Sequence, residues 1–136
     1  MAESTLDKVR VAVDGFNIPQ ALTEIMALVY RANKYIDETT PWVLAKDPDQ
    51  KQRLGEVLYV LAETLRFVAV LISPFLPDTA QSIFDKLSLG QVPDDFDSIK
   101  DFGGLKQDTL VTKGQNLFER IKVEEELKKL DELFAE

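Results

Sequence analysis

The sequence predicts an all-α fold, an antiparallel bundle of about five helices with an irregular C-terminal segment. Two stretches carry that prediction. Ile18, Leu22, Ile25, Val29, Ala32 and Ile36 recur at spacings of 4, 3, 4, 3 and 4, and Leu54, Leu58, Leu61, Leu65, Val68 and Ile72 repeat the series. Each set marks one apolar stripe along a helix. The third observation is punctuation. The six glycines and six prolines are clustered and leave long uninterrupted segments between them. With 136 residues, 45% of them hydrophobic, the chain is long enough for one domain with its own core.

In chain order, residues 3–14 read as a helix with Leu6, Val9, Val13 and Phe16 on one side and Gly15 as its C-cap. Asn17 and Gln20 form a capping-box pattern at the head of the next helix, residues 18–39, where Pro19 is tolerated in the first turn. Thr40 then reads as an N-cap with Pro41 at the first position of a short turn through Ala45. Asp47-Pro48-Asp49-Gln50 is a loop. The helix over 50–72 is expected to be central, because Val57, Val60, Phe67 and Leu71 widen its apolar surface. Ser73-Pro74 ends it, and Asp78 caps a fourth helix that buries Ile83, Phe84 and Leu87 and closes at Gly90.

Periodicity fails from 91 to 122. Phe96, Ile99 and Phe102 read as anchors, Gly103-Gly104 as a turn, and Leu110-Val111-Thr112 with Leu117-Phe118 as a small hairpin. A last helix over 123–135 carries Leu127, Leu130 and Phe134 on one side. The expected organisation is a helical bundle over 1–90 and an irregular segment plus helix, 91–136, packed on it.

Composition excludes several functions. The chain has no cysteine and no histidine, which removes thiol nucleophiles, disulfides, Cys/His zinc sites and imidazole acid–base catalysis. The polar start Met1-Ala2-Glu3-Ser4-Thr5 has neither a basic nor an apolar region of a signal peptide. The apolar run Phe67–Leu76 is far short of the roughly 20 residues a membrane span needs. A net charge of −8 argues against a general nucleic-acid binder. The charge is uneven, however: residues 69–136 hold fourteen acidic side chains against eight basic, whereas residues 1–68 hold ten against eight. Arg31, Lys34 and Lys46 fall in a locally basic stretch that allows phosphate contacts. No glycine-rich phosphate loop is present, and Asp94, Asp95 and Asp97 lack the remaining ligands of a calcium loop. Neither a catalytic residue nor a metal site is expected.

Pro41-Trp42 holds the only tryptophan. A tryptophan at a helix break more often covers the end of a core, and composition alone favours that reading. The other reading is an indole facing solvent, where it could stack on an unpaired base, with Pro41 fixing the backbone and Asn33 reaching a base edge.

The run Asn33-Lys34-Tyr35-Ile36-Asp37-Glu38-Thr39-Thr40-Pro41-Trp42-Val43-Leu44-Ala45-Lys46-Asp47 resembles the anticodon-binding domain of bacterial methionyl-tRNA synthetase. The likeness continues through Leu61–Arg66, Val68–Pro77, Ile83-Phe84 and Lys113–Ile121, nearly the whole chain. The resemblance implies the bundle of a class Ia synthetase anticodon-binding domain, with Trp42 stacking at the CAU anticodon of methionine tRNAs and Pro41 positioning it. Its implied partners are methionine tRNA, through the anticodon loop, and a catalytic domain, with no membrane and no DNA. The family's ATP-binding catalytic domain, with its HIGH and KMSKS motifs, is absent from this sequence, as is a first anticodon-domain helix expected before residue 1. The chain is therefore expected to be an inactive piece of a cytoplasmic methionine–tRNA ligase that uses ATP, itself without a cofactor. The competing expectation is a protein-interaction or scaffold bundle, with Trp42 buried and an apolar patch elsewhere.

Overall fold

The computed structural model describes residues 1–135. Its helices are α1 (Ala2–Asp14), α2 (Ile18–Thr39), the single turn α3 (Pro41–Leu44), α4 (Lys51–Ile72), α5 (Pro77–Lys86) and α6 (Val123–Leu133). Two 3-10 turns, Pro48–Gln50 and Phe96–Ile99, lie in the connections, and there is no strand among the described residues. Five of the helices run ten residues or more, as the sequence predicts. Among the described residues no helix is long and apolar enough to cross a membrane.

α1 packs on α2, α2 on α4, and α5 on the far side of α4. Leu6 and Val9 of α1, Ala21, Ile25 and Leu28 of α2, and Ile83, Phe84 and Leu87 at α5 meet around Phe67, Val68, Val70 and Leu71. From Glu63 to Leu71 only Leu65 of α4 reaches solvent, so the helix is central as expected. Burying a side chain such as Phe67 stabilises the fold by about 1.5–3 kcal/mol.

The apolar stripes are rotated from their predicted positions. Ala21, Ile25 and Leu28 face α1, while Ile18, Leu22 and Met26 stay exposed, as do Leu58 and Leu65 of α4. Phe16, expected on the buried side of α1, is 92% exposed. It takes the left-handed turn (φ 55°) that follows α1, a conformation Gly15 does not adopt. Asn17 accepts the Gln20 backbone N–H at 3.2 Å, but the Gln20 amide donates to Glu24, so only half of the capping box forms. Asp78 is not a cap: α5 begins at Pro77 after Leu76, two residues earlier than predicted.

The irregular segment is held by polar groups. Glu63, fully buried, accepts the backbone N–H of Gly103 at 2.8 Å, Gly104 at 2.9 Å and Leu105 at 3.1 Å. Arg66 grips the same carboxylate through Nε (2.9 Å) and Nη2 (2.6 Å) and donates from Nη1 to the Ser98 carbonyl at 2.8 Å. Burial alone would raise the Glu63 carboxyl. The Arg66 hydrogen bond, the Gly103 and Gly104 N–H groups and the guanidinium charge outweigh it and hold the group below its ordinary value. Ile99 is buried and Phe102 meets Phe67 with ring centroids 5.6 Å apart, so the anchors are where the sequence placed them.

Two expectations for the C-terminal part are corrected. The hairpin does not form: the Thr112 N–H donates to the Lys86 carbonyl, and Lys86 Nζ donates to the carbonyls of Lys113 and Gln115, fastening the strand-like residues to α5 instead of to each other. α6 is not packed on the bundle. None of its residues is buried, and Leu127, Leu130 and, just past its end, Phe134 are all exposed.

Candidate nucleic-acid interface

The break between α2 and α3 is built by three consecutive residues. Pro41 has no N–H for the Asp37 carbonyl and its ring would collide there, so α2 cannot continue through it. Thr39 closes the last turn with its hydroxyl on the Tyr35 carbonyl at 2.6 Å. Thr40 donates its N–H to the Ile36 carbonyl (2.9 Å) and accepts the Val43 N–H on its carbonyl (2.8 Å), so one residue ends α2 and starts α3. Its side chain makes no capping hydrogen bond, contrary to the N-cap role expected of the hydroxyl. The turn is completed by Ala45 N–H on the Pro41 carbonyl (2.9 Å), and the Asp47 carboxylate caps the 3-10 turn from the Asp49 N–H (3.0 Å).

α3 rests on α4. Leu44 and Pro41 are half-buried, while Trp42 is 52% exposed with Val43 beside it. Much of Trp42 therefore reaches solvent. This is the arrangement expected for a stacking residue, and not the buried tryptophan that the scaffold reading requires.

The other predicted residues divide into two groups. Arg31 and Lys34 lie one turn apart and both reach Glu38, at 3.1 and 4.0 Å, and the Arg31 guanidinium lies 5.9 Å from the Tyr35 ring centroid. Their charge is partly met within α2. Arg31 and Tyr35 also line a cavity of about 390 Å³ with Leu28, Val60, Thr64 and Phe102. Asn33 is exposed and its amide makes no hydrogen bond among the described residues, but it stands roughly 200° around the helix from Arg31. Asn33 and Arg31 thus cannot serve one shallow patch. Lys46, just past α3, has no ion-pair partner among the described residues, and neither does Lys51.

Sequence reasoning missed Tyr30. It is 68% exposed and one turn before Asn33 on the same face of α2. Its one signal in the sequence is the i, i+3 spacing of an aromatic and an amide along α2. The acidic loop has structural work to do: Asp95 caps the turn at the Ser98 N–H and Asp97 pairs with Arg10. Among the described residues no group of three or more acidic side chains could hold a metal ion.

Residues 2–136 match the family model described as the anticodon binding domain of methionyl tRNA ligase. The methionine–tRNA ligase of Clostridium perfringens is 50% identical over 133 residues, 98% of this chain and 20% of that protein. The Bacillus subtilis ligase is 45% identical over 128 residues, 93% of this chain and 19% of that one. The structure of free-state Mycobacterium tuberculosis methionyl-tRNA synthetase superposes with a TM-score of 0.78 at 32% identity, covering 89% of this chain and 24% of that chain. The chain thus spans about a fifth of the length of these curated relatives. The family match runs almost end to end, and the chain belongs to the anticodon-binding domain family of methionyl-tRNA ligases.

Proposed function

We propose that this chain is the tRNA-reading part of a cytoplasmic methionine–tRNA ligase and that it recognises the CAU anticodon loop of methionine tRNAs. The parent protein joins methionine to tRNA at the cost of ATP, in a catalytic domain that this chain does not supply. The observation that carries the reading is the half-exposed indole of Trp42 on a proline-fixed helix break. An unstacked loop base laid on that face gains about 1–3 kcal/mol. Asn33 offers a donor and an acceptor to a base edge, and Lys46, with no ion-pair partner among the described residues, offers a charge to a loop phosphate; Arg31, on the other side of α2 from Asn33, and Lys34 are both engaged by Glu38 and would meet phosphates elsewhere on the tRNA.

The test is Trp42→Ala in the full-length ligase, with tRNA charging and ATP-dependent methionine activation measured side by side. Charging should fall about tenfold or more, matching a lost stacking contact, while activation stays near its starting rate. Undiminished charging would sink the reading. A stem-loop with its first anticodon base changed should bind correspondingly more weakly than the CAU loop.

A further inference from the structure

Thr40 is the one described residue that joins two helices directly while holding a left-handed backbone, φ 42° and ψ 60°. The other non-glycine residues with positive φ, Phe16 and Ser88, sit in ordinary turns between elements. For an L residue this region is disfavoured, because the β-carbon crowds the carbonyl, and a β-branched side chain such as threonine is a genuine outlier there. The following Pro41 restricts the residue further. Nothing local rewards the conformation through the side chain, since the hydroxyl makes no capping bond. What holds it is the backbone: the N–H is spent on Ile36, the carbonyl on Val43, and α3 is braced on α4. Strain of this kind persists where the surroundings over-determine it, and it gathers where a direction must be fixed.

We infer that Thr40 is the positioning residue for Trp42: its left-handed backbone sets the angle at which α3 leaves α2 and therefore where the indole stands. This rests on the reading of Trp42 as the base-stacking residue. The threonine side chain itself contributes nothing to RNA contact; its backbone conformation does.

The full chain has a single tryptophan, so quenching of its fluorescence reports the exposure of the indole that this angle sets. Acrylamide quenching is compared for the unaltered chain, Thr40→Gly, Thr40→Val and Thr40→Pro, with helix content followed by circular dichroism. Glycine accepts a left-handed backbone freely, and valine keeps the shape without the hydroxyl. Both should leave quenching unchanged. Proline is locked near φ −65° and lacks the N–H that Ile36 accepts, so quenching should change by about twofold. Should Thr40→Pro fail to fold, an alanine inserted between Thr40 and Pro41 decides instead, since it separates the left-handed residue from the start of α3 and so redirects α3. Quenching that is the same in the proline and insertion variants as in the unaltered chain overturns the inference. So does a glycine variant that departs as far as the proline one. Trp42→Ala binding to a methionine anticodon stem-loop is run alongside: failure there removes the stacking reading, while the quenching series still decides whether Thr40 sets the indole.

Discussion

Gly104 lies so close to Arg66 that a β-carbon on it would stand 2.8 Å from Nη2. An arginine tip on a protein surface would swing aside. This one is held by Glu63 and the Ser98 carbonyl and cannot retreat without leaving a buried carboxylate short of donors. Gly104→Ala should therefore destabilise the domain by about 1–3 kcal/mol, read as a fall in the urea midpoint. Gly55→Ala is the control: nothing lies within 4 Å of its β-position, so a helical alanine there should be neutral or stabilising.

Glu63 makes the same latch pH-dependent. Its carboxyl is held below the ordinary value of 4.5. Its contribution to stability is therefore complete above that value and is lost as the pH falls through the lower value of the folded state. Glu63→Gln should cost about 3 kcal/mol at pH 7, because Arg66 then loses its buried counter-charge. The gap between variant and unaltered chain should narrow steadily in urea titrations taken below pH 4.5. A gap of constant size across that range would show that the carboxylate charge contributes nothing.

Glu38 occupies two cations of α2 that the proposed function assigns to tRNA phosphates. Because it engages both Arg31 and Lys34, Glu38→Gln should free two cations and tighten anticodon stem-loop binding by about two- to fivefold at low salt. Lys46, already unpaired, should act in the opposite sense. Lys46→Ala should weaken binding and reduce the dependence of log K on log salt by roughly 0.7. Filter or fluorescence titrations at several salt concentrations separate the two effects.

α6 contributes little to the stability of the bundle, since none of its side chains is buried. Removing residues 123–136 should move the melting midpoint by less than about 2 °C. A loss much larger than that would mean that Leu127 and Leu130 pack in solution.

Local chemistry made most of the fold legible. Pro41 and the Ser73-Pro74 pair set the ends of α2 and α4 within a residue or two, because each acts on the backbone next to it, whereas the helix expected to close at Gly90 already ends at Lys86. The buried faces were less legible. A 4-3-4-3 spacing names a stripe, yet Ile18 and Leu22 fit it as well as Ile25 does, and only the place where α1 settles decides that Ala21 and Leu28 are covered instead. The Glu63–Arg66 latch was invisible for the same reason. Its partners at Ser98 and at 103–105 are backbone groups some 30 to 40 residues away, and backbone groups have no letter in the sequence. At the candidate interface the sequence named residues but said nothing of how they group. Composition leaned toward a covered Trp42, the family resemblance reversed that, and the half-exposed ring agrees with the resemblance. The face of Tyr30 and Asn33 was separated from that of Arg31 only by the rotation of α2.

The position of those partners bears on how the domain is made. A ribosome delivers α4 before it delivers residues 103–105, the last of them 42 residues after Glu63. Until they emerge, the carboxylate has only Arg66, and the face of α4 that Ile99 and Leu105 later cover stands open. The N-terminal helices can associate as they are synthesised, but the centre cannot close. A nascent chain stalled just short of Gly103 should thus hold a pre-formed α1–α2 pair and a wet, protease-sensitive α4, and should become resistant once Leu105 is free.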